Sequence, residues 1–200
     1  MLADLWATFQ KGGYVMYPIL ICSIFSVALA AERIMYYSHC DTEDSFLAKL
    51  EALLRLPEKE AAEQARQAEG DCARLTEYYL THKEAGIAGV ETRANMMLDS
   101  YSDHLVFLNM IVTVSPLLGL LGTIIGMINS FKVFDLRAGQ PFAITAGIGE
   151  ALIATAFGLI VAIIALALYG FLKYRSTVLA KKITKCCAAL ELHENGGEAR

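Results

Sequence analysis

The 200-residue chain is 56% hydrophobic and only 19% charged, a composition unlike that of an ordinary soluble domain. Its formal net charge of −4 comes without a basic patch interleaved with aromatic residues, so no nucleic-acid partner is expected. The five cysteines are an odd number without C-x-x-C spacing, and the four histidines are scattered. The sequence therefore predicts neither a disulfide framework nor a metal site, and no cofactor is expected.

The first apolar segment spans residues 14–31 and follows a short N-terminal segment, residues 1–13. It is long enough to cross the hydrocarbon core of a bilayer, which is about 30 Å thick. Ala28-Leu29-Ala30 resembles a signal-peptidase site, but the apolar stretch is longer than a usual signal-peptide core, and Lys11 is the only base before it. We therefore predict an uncleaved first transmembrane helix.

The polar segment 32–104 is predicted to form a helical domain continuous with the membrane helices. Apolar residues recur at helical spacing from 46 to 54, and Pro57 opens a stretch of good helix formers that Gly70 and Asp71 interrupt. Residues 90–104 are again helical in pattern and lead directly into the next apolar segment. The charges of this loop are expected to form a solvated face. It contains no nucleophile–base set, so no enzymatic activity is predicted.

The second apolar segment, residues 105–131, has one small and weakly polar face. On a wheel of 100° per residue, six residues including Gly119 lie within about 60° of the Gly119 direction: Ser115, Gly119, Gly122, Thr123, Gly126 and Ser130. The glycines are interpreted as packing positions rather than hinges. Pro116 removes a backbone hydrogen bond to Val112 and is predicted to bend the helix.

A hairpin, residues 132–141, leads to the third apolar segment, residues 142–172, and a tail, residues 173–200. As one straight helix the third segment would be about 46 Å long, so it must tilt or project beyond the bilayer. Small residues again share one stripe, which would let a neighbouring membrane helix approach closely: Gly147, Ala151, Ala154, Gly158, Ala162 and Ala165.

Glu150 lies inside the third segment, where Tyr169 is the only other ionisable side chain. A charge at the centre of a membrane helix costs roughly 2.5–3.5 kcal/mol, and such acids usually face a bundle interior or a wet cavity. Glu150 and Thr155 flank the small stripe. We predict that Glu150 exchanges a proton in a narrow lumen where Thr123 and Thr155 hold water. The alternatives are a neutral structural glutamate, and threonines bonded to their own helix backbone.

The distribution of Lys and Arg predicts the topology. Fourteen of the 17 lie in residues 32–104 and 173–200, and three lie in the N-terminus and the hairpin. The positive-inside rule places the first set in the cytoplasm, and therefore the N-terminus outside, with three crossings. A three-helix monomer has too little interior to enclose a pathway. We therefore expect assembly with further copies or with a second membrane protein.

Three stretches carry a resemblance to a known family. Residues 113–131 (TVSPLLGLLGTIIGMINSF) resemble the second transmembrane segment of the ExbB/TolQ/MotA proton-channel family, and residues 147–159 (GIGEALIATAFGL) resemble its third. Residues 12–19 (GGYVMYPI) and the pair Glu32-Arg33 are similar to the first helix of shorter ExbB proteins.

The resemblance implies that Glu150, Thr155 and Thr123 line a lumen formed by a ring of five copies around two helices of an ExbD-type partner. Proton entry would drive a rotation that is delivered to a TonB-like protein for transport across the outer membrane. Ile164 stands where many relatives have proline, so a kink there is in doubt. Open alternatives are a TolQ-type subunit for envelope integrity, a structural scaffold, and sodium in place of protons. A MotA-type stator fits less well, because those proteins have four crossings.

Overall fold

The structure is a computed structural model that describes residue 9 and residues 12–136 and 141–198; side chains are not described at 133–136, 141–146, 150, 197 and 198. Within these residues the chain is all-helical, as the sequence predicts. Seven α-helices and a 3-10 turn at Lys83–Ala85 follow in chain order: α1 Met16–Cys40, α2 Asp44–Leu53, α3 Glu58–Gln67, α4 Asp71–Thr81, α5 Gly86–Ser102, α6 Leu105–Leu136 and α7 Pro141–Glu198.

Three helical stretches of the described residues are long and apolar enough to cross a membrane: Met16–Leu53, Lys83–Lys132 and Gly147–Gly196. Their most apolar windows have mean hydropathies of 1.8, 2.1 and 2.8. These values confirm the expectation of three apolar spans by length and composition. Pro116 lies inside α6, which runs unbroken from Leu105 to Leu136.

The chain divides into two compact units. Unit 1 consists of the residues up to Ala31 together with His104–Gly170, and unit 2 consists of Glu32–Asp103 with the residues from Phe171 onward. Helices α1 and α7 each contribute residues to both units. The described core of unit 1 includes Met16, Ile19, Leu108 and Ala165, all of which are almost fully buried.

Unit 1 also exposes many large apolar side chains, far more than a soluble protein displays on one surface. They occur on all three of its helices, and include Ile21, Ile24, Leu117, Leu120, Leu152 and Ile163. Lipid or further membrane helices are the surroundings that suit such faces, because water would not solvate them.

Unit 2 packs α2 to α5 with the ends of α1 and α7. Along α7 the buried residues recur at helical spacing and form one apolar stripe: Leu172, Leu179, Ile183, Cys186 and Leu190. Gly70 precedes α4 with φ of 97°, and a Cβ there would lie 2.7 Å from Asp41 O. Only glycine tolerates both the conformation and the contact, so this break between α3 and α4 is built into the sequence.

Helices α5 and α6 are separate, which differs from the predicted direct continuation of residues 90–104 into the second span. Helix α5 ends at Ser102, Asp103 is extended, and His104 has φ of 62° in the left-handed region. The sequence does not reveal this break, because it involves only Asp103 and His104 and leaves the spacing of apolar residues on either side unchanged.

Candidate functional site

Helices α6 and α7 approach each other closely along a line that we call the α6–α7 seam. It lies within unit 1 and brings together the small faces of both helices: Ser115, Gly119, Gly122, Gly126 and Ser130 on α6, and Gly147, Ala151, Ala154, Thr155 and Gly158 on α7. A Cβ on Gly126 would lie 2.7 Å from the Cβ of Ala151, and one on Gly122 would lie 2.6 Å from the Cβ of Ala154. Glycine is therefore required at both positions for this approach.

Thr155 connects the two helices at the middle of the seam. Its hydroxyl donates a hydrogen bond of 2.8 Å to the Gly119 carbonyl oxygen. A Cβ on Gly119 would lie 3.0 Å from Thr155 Cα, so the absent side chain is what allows the contact. One turn further along α7, a Cβ on Gly158 would lie 2.6 Å from the Ser115 carbonyl oxygen and 3.0 Å from Gly119 Cα.

The end of the seam towards the hairpin is formed by Ser130 and Gly147. A Cβ on Gly147 would overlap the Ser130 hydroxyl. That hydroxyl donates to the Gly126 carbonyl oxygen at 2.8 Å, so Ser130 is buried with its donor satisfied by its own helix.

Thr123 lies beside the seam and is partly exposed. Its hydroxyl donates to the Leu120 carbonyl oxygen of its own helix at 2.7 Å. The sequence left open whether each threonine would bond to its own backbone or serve elsewhere. In the structure Thr123 bonds within α6, whereas Thr155 bonds across to α6 from α7. The two hydroxyls can still accept hydrogen bonds through their lone pairs.

Glu150 lies in α7, directly before Ala151 and three residues after Gly147. Its side chain is outside the described residues. The backbone register places it at the edge of the seam, next to the residue that contacts Gly126. The two small faces pack against each other within one chain, so they do not by themselves surround an open space.

Ser115 is a seam residue whose buried hydroxyl lacks a hydrogen-bond partner among the described residues. Sequence reasoning assigned Ser115 no separate role, because it was one member of the small face of α6. Its neighbour Pro116 was the signal that could have drawn attention to this turn.

Unit 2 holds a buried polar group of four residues that we call the Asp71 cluster: Arg33, Tyr37, Asp71 and Tyr101. The Tyr101 hydroxyl donates to Asp71 Oδ2 at 2.7 Å, and the Tyr37 hydroxyl donates to the Tyr101 carbonyl oxygen at 2.7 Å. Arg33 Nη1 donates to the Ser100 carbonyl oxygen at 2.9 Å. The last carbonyls of a helix lack partners within it, so Arg33 and Tyr37 satisfy the C-terminus of α5.

The prediction that the loop charges form a solvated face is therefore wrong for part of the loop. Arg33 and Asp71 are 5% and 4% exposed. Periodicity could not identify them, because a charge is buried only where partners from distant parts of the chain satisfy it. Arg74, 60% exposed, adds an ion pair of 3.1 Å with Asp71.

A second group of charges joins α7 to the segment before α2. Lys182 Nζ lies 2.7 Å from Asp41 Oδ1 and 2.9 Å from Asp44 Oδ1, and it donates to the Thr42 carbonyl oxygen at 2.7 Å. Arg175 pairs with Asp41 Oδ2 at 3.1 Å. This network is partly exposed to solvent, and it links the part of α7 in unit 2 to the segment before α2.

All five cysteines are free, and three of them, Cys40, Cys72 and Cys186, are buried. Cys186 Sγ lies 3.6 Å from the Cys72 carbonyl oxygen, in the core between α4 and α7. A hydrogen bond with Cys186 lowers the pKa of the Cys72 thiol, against the effect of burial. The described residues contain no group of His, Cys, Asp or Glu side chains arranged to hold a metal ion.

Three long apolar helices and a close-packed seam of small residues define an all-helical, multi-pass membrane protein. The sequence profile of the MotA/TolQ/ExbB proton channel family matches residues 58–185, well over half of the chain. The chain therefore belongs to the MotA/TolQ/ExbB proton channel family, which is a family of channels rather than of enzymes.

Two curated relatives that carry the ExbB name align with this chain over most of their length. The chain is 33% identical over 174 residues to the putative biopolymer transport protein ExbB-like 1 of Synechocystis sp., covering 82% of this chain and 68% of the relative. It is 30% identical over 184 residues to the biopolymer transport protein exbB1 of Vibrio cholerae, covering 79% and 74%. A Tol-Pal system protein TolQ, from Haemophilus influenzae, is 38% identical over 82 residues, covering 40% and 36%.

Proposed function

We propose that the chain is the ring-forming subunit of an ion-driven motor in the bacterial inner membrane. With a single-span, ExbD-like partner it would use the proton gradient to energise a TonB-like protein and thereby transport across the outer membrane. The observation that carries the proposal is Glu150: a carboxylic acid in an otherwise uncharged span, at the edge of the seam, in a member of a proton channel family.

Glu150 would be the group that takes up and releases the proton. Thr155 and Thr123 would support it as hydrogen-bond acceptors, because their hydroxyl protons are already donated to Gly119 and Leu120. Water or the Glu150 carboxyl could donate to either threonine oxygen without breaking those bonds. The hydrogen bond from Thr155 to Gly119 would also fix the position of α7 along the axis of α6.

The pathway would be completed between chains rather than within one. The small faces of α6 and α7 are already used against each other, and large apolar side chains remain exposed on every helix of unit 1. A ring of copies, with five as the expected number, would bring the Glu150 positions together around the partner's helices. Native mass spectrometry that found only monomers would contradict this assembly.

The proposed topology puts the N-terminus and the hairpin in the periplasm. Unit 2 would be cytoplasmic because it carries most of the Lys and Arg residues of the chain. A Ton-type role is favoured over a Tol-type role, since the ExbB-named relatives match over most of the chain and the TolQ match covers 40% of it. A TolQ-type subunit remains the second candidate.

The decisive experiment replaces Glu150 by Gln and measures proton flux. Proteoliposomes would contain the full chain with its single-span partner, and a pH-sensitive dye would report an imposed gradient with and without sodium. We expect Glu150→Gln to abolish flux while the assembly stays intact, because Gln keeps the shape and cannot ionise. Glu91→Gln, on the exposed face of α5, is the matched control and should conduct normally.

Retained flux or retained transport in Glu150→Gln would favour a structural scaffold. Flux that follows sodium rather than protons would change the coupling ion. The neighbouring reading frames give an independent test: a short single-span protein with a membrane aspartate supports a motor, and a TonB-like frame selects the Ton type over the Tol type.

A further inference from the structure

Unit 2 contains two cysteine thiols that meet in its core. Cys72 lies in the first turn of α4, and Cys186 lies on the buried stripe of α7. Cys186 Sγ is 3.6 Å from the Cys72 carbonyl oxygen, and the two thiols are hydrogen-bonded to each other. The pair therefore brings together two helices that are far apart along the chain.

The other two cysteines of unit 2 are placed differently. The Cys40 thiol is hydrogen-bonded to Asp71, beside the Asp71 cluster. Cys187 follows Cys186 directly on α7, but it is partly exposed rather than buried. Two successive residues of a helix point about 100° apart, so the two thiols of this segment face different surroundings. The packing thus prepares Cys72 and Cys186 as a pair.

The surroundings make the two thiols of the pair chemically unequal. The hydrogen bond with Cys186 lowers the pKa of the Cys72 thiol against the effect of burial, and a hydrogen bond with Thr42 and the positive charge of Lys182 act in the same direction. The thiolate is the form of cysteine that attacks an oxidant. Cys72 is therefore the nucleophile of the pair, and Cys186 is the thiol in contact with it that can resolve an oxidised Cys72.

We propose that Cys72 and Cys186 form a disulfide when unit 2 meets hydrogen peroxide, and that this bond locks α4 onto α7. The Cys72 thiolate would attack one peroxide oxygen and break the O–O bond, which gives a sulfenic acid on Cys72 and releases hydroxide. The Cys186 sulfur would then attack the Cys72 sulfur, so that the S–S bond forms, the S–O bond breaks and the oxygen leaves as water. In total, two thiols are oxidised to one disulfide while one hydrogen peroxide is reduced to two waters.

Burial decides when this reaction can occur. Cys72 and Cys186 are 2% and 0% exposed, so the small, uncharged peroxide reaches them only when α4 opens locally. Helix α4 has 11 residues and begins directly after the break at Gly70, which makes it a short segment that can open. The disulfide would close a long loop of the chain and prevent that opening. Its use as a sensor in a reducing cytosol rests on the proposed cytoplasmic position of unit 2, whereas its formation does not.

The test treats the purified full chain with hydrogen peroxide, blocks the remaining thiols with N-ethylmaleimide in denaturant, and maps disulfides by mass spectrometry after trypsin digestion. Cys72 falls in the peptide 67–74 and Cys186 in the peptide 186–200, which also holds Cys187. Cys187→Ala is therefore the matched control, because it removes the neighbouring thiol and leaves the pair. We expect cross-linked peptides 67–74 and 186–200 in the wild type and in Cys187→Ala, and none in Cys186→Ala.

The melting temperature reports whether the bond acts as a lock. We expect the peroxide-treated wild type to melt several degrees above the reduced protein, with the shift reversed by dithiothreitol and absent from Cys186→Ala. A cross-link that persists in Cys186→Ala and disappears in Cys187→Ala would overturn the proposal, because it would assign the bond to Cys187. So would Cys72 and Cys186 thiols that stay reduced while Cys187 is oxidised, or a disulfide that lowers the melting temperature. None of these readouts depends on proton flux.

Discussion

The tight contact at Gly158 makes a sharp prediction about stability. A Cβ at this position would lie 2.6 Å from the Ser115 carbonyl oxygen, closer than real Cβ atoms approach other groups, and 3.0 Å from Gly119 Cα, which is tighter than most real contacts. Both neighbours are backbone atoms and cannot rotate away. Gly158→Ala must therefore push α6 and α7 apart, which also lengthens the 2.8 Å bond from Thr155 to Gly119.

Gly170 provides the matched control on the same helix. A Cβ there has nothing within 4 Å, so Gly170→Ala should gain about 1 kcal/mol from helix propensity alone. Gly158→Ala gains the same amount and pays an overpacking cost of about 1–3 kcal/mol. The free energy of unfolding of Gly158→Ala should thus be about 1–3 kcal/mol below that of Gly170→Ala.

The assay is unfolding of the purified full chain in mixed micelles, with helix content followed by circular dichroism as denaturing detergent is added. The difference between the two variants is the informative quantity, because it cancels the effect of the added methyl on propensity. Equal stability of Gly158→Ala and Gly170→Ala would show that α6 and α7 do not meet at the seam as described.

Three other experiments test further parts of the structure. Thr155→Val should lower the free energy of unfolding by about 1 kcal/mol in the same assay, because the hydrogen bond to α6 is lost. Thr123→Val should leave it almost unchanged. Equal effects of the two substitutions would contradict the inter-helix hydrogen bond. Asp71→Asn should destabilise unit 2 by about 1–3 kcal/mol, as a buried acceptor loses its charge-assisted bonds, and an unchanged melting temperature would refute the burial. Maleimide should label Cys187 before Cys186, which is fully buried; the reverse order would place α7 in another register.

Much of the fold is readable from short-range patterns. Long apolar runs specify the three spans, and periodic leucines followed by Pro57 specify α2 and the start of α3. Gly70, with its positive φ, ends the α3 segment where the sequence indicates a break. These features depend only on residues within a turn or two of each other, so the sequence is sufficient for them. The break at His104 was missed, because nothing in the local pattern interrupts the apolar spacing.

The sequence predicted which residues are candidates for the site, but it did not predict how they pack together. The wheel placed Gly119, Gly122 and Gly126 on one face of α6 and Ala151 and Ala154 on one face of α7. It could not say that these two faces meet within one chain rather than across a lumen. The hydroxyl of Thr155 could equally have bonded to its own helix, as that of Thr123 does.

By itself, the sequence determined that the chain is helical, crosses a membrane and carries a lone acid at Glu150, because hydrophobicity and spacing act locally. Only the tertiary structure decided that Asp71 is buried under Tyr101, that Lys182 is held by Asp41, and that Ser115 is left without a partner. The energy of a polar group depends on what lies against it, and its neighbours here come from residues far away along the chain.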